Sequence, residues 1–220
     1  MRMLNLKFLN KKKQKEIKKS HLLIFGSLLV FMGVVVLSFN HLAKLREELF
    51  NDMLLAMYNY GNSDKNVEAP KANNVSDGTE YNQKNIDYGK YLGVLSIPKI
   101  GLRRGFCSLD SKYNNIEYNV TLVLGSTMPD VAGGNLILMA HSGTAYISYF
   151  AYLYTLKHGD NAFVTYNGRD YKYSLVNVYN VPKNGKVKIN RNFDKTTLTL
   201  ITCTKDDSTK QTVYIFELVG

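Results

Sequence analysis

The sequence predicts an all-β domain, a closed or nearly closed barrel of eight short strands with one short helix, preceded by a single N-terminal transmembrane helix. Three observations predict it. Eight segments rich in β-branched, aromatic and aliphatic residues recur after residue 85, and the gaps between most of them are too short for helical crossovers. An uncharged apolar run of 18 residues, 22–39, lies near the N-terminus. The segment between these two regions is too polar to bury a core of its own.

Charge separates the first segment from the rest. Residues 1–21 hold Arg2, Lys7, Lys11, Lys12, Lys13, Lys15, Lys18 and Lys19 against Glu16, a net +7 of the chain's +10. Such a run could serve as a nucleic-acid tail, but the apolar stretch beside it assigns it to anionic membrane lipid. At 1.5 Å per residue, 22–39 spans about 27 Å, and the flanking residues to 42 complete a bilayer core of about 30 Å. No small-residue cleavage site follows, so residues 22–42 read as an uncleaved signal anchor. Lysines on its N-terminal side put 1–21 in the cytoplasm and the remainder outside the cell.

Residues 43–84 read as a stalk and a flexible linker. Leu42, Leu45, Leu49, Met53 and Met57 recur three or four apart, the spacing of one helical face. From 61 to 84 the chain is rich in Asn, Asp, Ser and Gly, and its function is reach. The domain then occupies 85–220, with strands expected at 91–97, 102–106, 120–124, 136–140, 162–166, 171–181, 197–202 and 211–218. Between the fourth and fifth, Tyr146, Phe150, Leu153 and Tyr154 have helical spacing and predict a short helix over 146–156.

Two of these strands end on reactive groups. Thr196-Thr197-Leu198-Thr199-Leu200-Ile201-Thr202 runs into Cys203 and then a polar stretch, and Asn135-Leu136-Ile137-Leu138-Met139-Ala140 runs into His141, Ser142 and Gly143. A lone cysteine is most often a small buried hydrophobe. A cysteine and a histidine at two strand ends carry more meaning, because a thiol needs an imidazole neighbour to attack a carbonyl and to protonate the departing amine. The four histidines and two cysteines form no metal spacing, Ala132-Gly133-Gly134 lacks the lysine and helix of a phosphate loop, and no cofactor is expected.

On these residues the chain resembles the sortases, membrane-anchored cysteine transpeptidases of Gram-positive bacteria. The resemblance covers about residues 91–219. It rests on Gly93-Val94-Leu95-Ser96-Ile97-Pro98-Lys99-Ile100-Gly101-Leu102, the histidine strand, Leu156-Lys157-His158-Gly159-Asp160, and Thr199-Leu200-Ile201-Thr202-Cys203, in that order. It implies the eight-stranded sortase barrel, with Cys203 as nucleophile and His141 as the acid and base. It also implies secreted protein substrates whose C-terminal sorting signal, of the Leu-Pro-any-Thr-Gly type, is cut and passed to a cell-wall peptide amine or a pilin lysine. Partners would therefore be such substrates, the amine acceptor and membrane lipid, with no nucleic acid.

His158 reads as an exposed turn residue, and Cys107, beside Arg103 and Arg104, as structural; a disulfide between Cys107 and Cys203 would block the chemistry. One departure from the family stands out. Sortases carry an arginine on the strand after the cysteine, where this chain has Gln211 preceded by Lys210, and no arginine follows Arg191. Either Gln211 donates to the oxyanion without charge, Lys210 or Arg191 reaches in, or the chain is a catalytically impaired, peptide-binding module. A plain cysteine protease is a third reading. Thr202 and Ser142 complete the expected substrate-binding set with Lys210.

Overall fold

The computed structural model describes residues 2–62 and 90–219. The chain forms two compact units, Met1–Glu48 and Leu49–Gly220. The expected linker, apart from its first two residues, and residues 85–89 of the expected domain lie outside the described residues.

The first unit is helical, part of α1 (Arg2–Asn62). Its side chains from Leu23 to Phe39 are exposed, Leu37 by 72% and Phe39 by 75%, so this apolar surface finds no partner among the described residues. By length and composition the segment can cross a membrane.

The second unit holds all eight strands: β1 (Gly93–Ile97), β2 (Leu102–Phe106), β3 (Thr121–Leu122), β4 (Asn135–Met139), β5 (Asn161–Tyr166), β6 (Arg169–Pro182), β7 (Thr197–Thr204) and β8 (Asp207–Leu218). Their order is β2-β1-β5-β6-β8-β7-β4-β3 in one sheet. A parallel bridge from Phe106, at the end of β2, to Val120, just before β3, links the two edge strands and nearly closes the barrel. Strand pairing is antiparallel throughout except between β4 and β7.

That parallel pair is buried on both faces, which is why β7 reads as an unbroken run of β-branched and aliphatic residues. Leu198 and Leu200 enter the barrel interior with Leu136, Leu138, Phe106 and Phe216. On the outer face Ile201 packs with Ile137, Val181, Val213 and Ile215, and Val187 and Ile189 from the segment after β6 cover them. Thr197 and Thr199, although fully buried, are satisfied because both hydroxyls donate to Asn135 Oδ1, at 2.9 and 2.8 Å.

Two expectations need correction. The short helix over 146–156 is a chain of turns with one 3-10 turn, Leu153–Thr155, whose bonds reach back three residues rather than four. Phe150 and Leu153 are buried as the spacing suggests, but the Phe150 N–H donates to His141 O at 2.9 Å, which takes it out of any helical ladder. The loop after Cys203 is only Lys205-Asp206, because β7 continues to Thr204 and β8 starts at Asp207; Asp206 takes the left-handed conformation (φ 62°) that so tight a turn requires.

Residues 49–62 add a feature that the helical spacing does not specify. The helix continues to Asn62, and the face that docks carries Asn51, Leu54, Leu55 and Tyr58, whereas Leu49, Met53 and Met57 of the expected stripe stay exposed. Leu54, Leu55 and Tyr58 pack with Tyr91, Val94 and Cys107. Polar contacts fix the register: Tyr91 Oη donates to Asn51 Oδ1 at 3.0 Å and Tyr58 Oη to Thr165 O at 3.0 Å. The compact unit therefore includes these helical turns as well as the barrel.

Candidate active site

The site is built on the parallel register of β4 and β7. Met139 faces Ile201, and the pairing runs on past the end of β4, where the Ala140 N–H reaches Ile201 O at 3.4 Å and Thr202 Oγ1 donates to Ala140 O at 2.8 Å. Two parallel neighbours end at the same rim, so His141 and Cys203 leave it side by side. Alternation then puts both on the outer face, above Ile137 and Ile201.

Two further bonds hold the arrangement. Ser142 Oγ donates to Cys203 O at 2.7 Å, and the Phe150 N–H donates to His141 O at 2.9 Å. The histidine backbone is thus held from both sides. Its Nε2 lies 3.3 Å from Glu117 Oε1, with side-chain exposures of 33% and 62%, so the imidazole is open to solvent and has a carboxylate at one nitrogen. Cys203 is half-buried.

Across the β7–β8 hairpin Cys203 pairs with Gln211, which in turn pairs with Val181 of β6. Directly opposed residues share a face, so Gln211 borders the sulfur. Lys210 pairs instead with Pro182 and its ammonium sits 2.9 Å from Asp207 Oδ2. Asp207 also accepts from the Thr209 hydroxyl and N–H, at 2.6 and 3.0 Å. The Thr209 hydroxyl first, then the Lys210 ammonium and the Thr209 N–H, bring its carboxyl from the usual 3.8 down to about 2.

Arg191 lies at the wrong end of β7 to serve Cys203. Its Nη1 donates to Gly133 O at 3.0 Å and Lys195 O at 3.2 Å and reaches Thr197 Oγ1 at 3.5 Å, and the guanidinium stacks on Phe193 at 4.5 Å. From Thr197 to Cys203 is about 20 Å along an extended strand. Thr202 is buried, and its hydroxyl is committed to Ala140, so it meets the site through the backbone. His158 is exposed in the turn before β5. Both cysteines are free thiols, and Cys107 is fully buried with Asn119 Nδ2 at 3.9 Å from its sulfur. Among the described residues no cluster of His, Cys, Asp and Glu could hold a metal ion.

Two neighbours of the pair escaped the sequence reading. Glu117 comes from the long connection between β2 and β3, and Lys183 follows the last residue of β6; its Nζ is 3.5 Å from Cys203 Sγ. Neither has a local signal. Lys183 reaches the sulfur only because β6 lies next to β8, which lies next to β7.

Residues 95–218 match the family model described as the sortase domain. Sortase A of Bacillus anthracis is 26% identical over 145 residues, covering 66% of this chain and 67% of the relative. Among solved structures, sortase C1 from Streptococcus agalactiae superposes with a TM-score of 0.52 at 25% identity, covering 61% of this chain and 70% of that one. A lid mutant of sortase A from Corynebacterium diphtheriae does so with a TM-score of 0.53 at 23% identity, covering 59% and 70%. The matched segment contains every strand but the first two residues of β1, so the barrel and the family model describe the same unit. The chain belongs to the sortase family and is a cysteine transpeptidase that acts on sorting signals and amine acceptors.

Proposed function

We propose that Cys203 is the nucleophile of this sortase and His141 its general acid and base, and that the substrate is a secreted protein with a C-terminal sorting signal of the Leu-Pro-any-Thr-Gly type. The thiolate adds to the threonine carbonyl carbon, and the carbonyl π electrons move to oxygen. As the tetrahedral intermediate collapses to a thioester, the C–N bond breaks and His141 protonates the leaving amine. An incoming amine, from a cell-wall peptide or a pilin lysine, then attacks the thioester. His141 takes its proton, and the thiolate leaves.

The remaining site residues have supporting roles. Gln211, across the hairpin from Cys203, offers an amide N–H to the oxyanion. Ser142 and Thr202 tie the two strand ends together beneath the substrate. Lys210 acts through Asp207, holding the turn that carries Cys203. The apolar helix near the N-terminus anchors the chain as a single-pass membrane protein, with the basic residues 2–19 in the cytoplasm and the barrel outside.

The observation that carries this reading is the parallel β4–β7 register continued by the Thr202–Ala140 and Ser142–Cys203 bonds. Its test uses the full chain in detergent micelles, with a Leu-Pro-any-Thr-Gly peptide panel and an added amine. Mass spectrometry should detect an acyl adduct on the Cys203 peptide, and amine should divert the product from acid to amide. Transpeptidation that survives Cys203→Ala would sink the assignment.

A further inference from the structure

We propose that Lys183 is a catalytic cation of this enzyme: its ammonium lies against the Cys203 sulfur and balances the negative charge that passes from thiolate to oxyanion during acylation. The inference rests on the assignment of Cys203 as nucleophile.

The position of Lys183 is built into the sheet. β6 stays paired to β8 through Pro182 and Lys210, and the Lys183 N–H continues that ladder with a 2.8 Å bond to Thr209 O. Val181, Gln211 and Cys203 form one cross-strand row, so the side chain two residues beyond Val181 returns to the face that carries the sulfur. Its Nζ reaches Cys203 Sγ at 3.5 Å, a hydrogen-bond distance for sulfur.

Three cations near Cys203 in sequence are engaged elsewhere. The Lys205 ammonium sits over the Tyr154 ring at 3.8 Å, Lys210 is on Asp207, and Arg191 is at the start of β7. Gln211, the direct neighbour of Cys203, is neutral. The chemistry nonetheless puts a full negative charge first on sulfur and then on the attacked oxygen. The thiolate lone pair forms the C–S bond, the oxyanion inherits the charge, and the C–N bond breaks with a proton from His141. Lys183 passes no proton in these steps and supplies charge alone.

The test compares alkylation of Cys203 by anionic iodoacetate and neutral iodoacetamide in the full chain, read on the Cys203 peptide by mass spectrometry. The ratio of the two rates reports local charge and cancels the amount of thiolate. Loss of a positive charge near the sulfur should lower that ratio about fivefold in Lys183→Met, since a unit charge pair at 4 Å in water is worth roughly that factor. Lys183→Arg should restore it. In the same variants, kcat/KM for transpeptidation should fall about 10²-fold in Lys183→Met. It should recover in part in Lys183→Arg.

An unchanged ratio in Lys183→Met overturns the proposal, and so does a lowered ratio with unchanged kcat/KM, which would leave the lysine beside the sulfur without a catalytic part. Cys203→Ala separates this failure from that of the parent reading. If Cys203→Ala is inactive and Lys183→Met is normal, only the lysine's role falls; if Cys203→Ala is active, both fall.

Discussion

Ser142 donates its hydroxyl to the backbone carbonyl of Cys203 at 2.7 Å, which locks the turn that carries His141 onto the strand that carries the thiol. Ser142→Ala should lower kcat/KM about tenfold, since misplacement of reacting groups by a fraction of an ångström is expensive. It should lower stability by only about 1 kcal/mol. Steady-state kinetics beside a thermal melt checks this, and equal, small effects on both would assign the serine a purely structural part.

The buried thiol should be dispensable. Cys107→Ala removes one sulfur from a fully buried site and should cost about 1 kcal/mol while leaving turnover near normal. A melt and a transpeptidation assay on the same preparation read both quantities.

Asp207 makes the hairpin acid-sensitive in a defined window. Its carboxyl is depressed from 3.8 to about 2 in the folded protein, so the stability it contributes is fully present above pH 3.8 and is lost as pH falls through about 2. The Thr209 amide, which donates to Asp207 Oδ1, should keep its exchange protection at pH 5 and lose it towards pH 2. Asp207→Asn should remove that pH dependence.

Tyr173 is fully buried in the barrel, and among the described residues its hydroxyl is the buried side-chain polar atom without a hydrogen-bond partner. Burial pushes the phenol's ionisation well above its ordinary range. Removing an unsatisfied buried oxygen relieves a desolvation penalty, so Tyr173→Phe should be neutral or raise stability by about 1 kcal/mol in a denaturant titration.

The docked end of α1 belongs to the fold it touches. Leu54→Ala and Leu55→Ala should each destabilise the domain by about 2–5 kcal/mol, because both are almost fully buried against Tyr91, Val94 and Cys107. Chemical denaturation of a protein beginning at Leu49 should accordingly exceed in stability one beginning at residue 85. Equal midpoints would show the helix to be a passenger.

Much of this protein was legible in one dimension because the signals were local. Strand alternation, turn residues and an uncharged apolar run each act over a few neighbours, so eight strands, the apolar helix and the strand ends bearing His141 and Cys203 could be read directly. Helical spacing misled over residues 146–156, where a backbone bond from Phe150 to His141 displaced the helix, and held in α1, which runs on through Met57 although the face that docks is not the spaced stripe.

What tertiary structure alone decided is who stands beside the sulfur. Gln211 faces Cys203 because the β7–β8 register shifts between Cys203 and Thr204, Arg191 is tied to the far end of the same strand, and Lys183 arrives through a third strand. Sheet neighbours are set by pairings between segments remote in sequence, and a side chain's face changes with a shift of one residue. The chain's order therefore offered a thiol and an imidazole as candidates, and the order of strands in the barrel set Lys183 beside the sulfur.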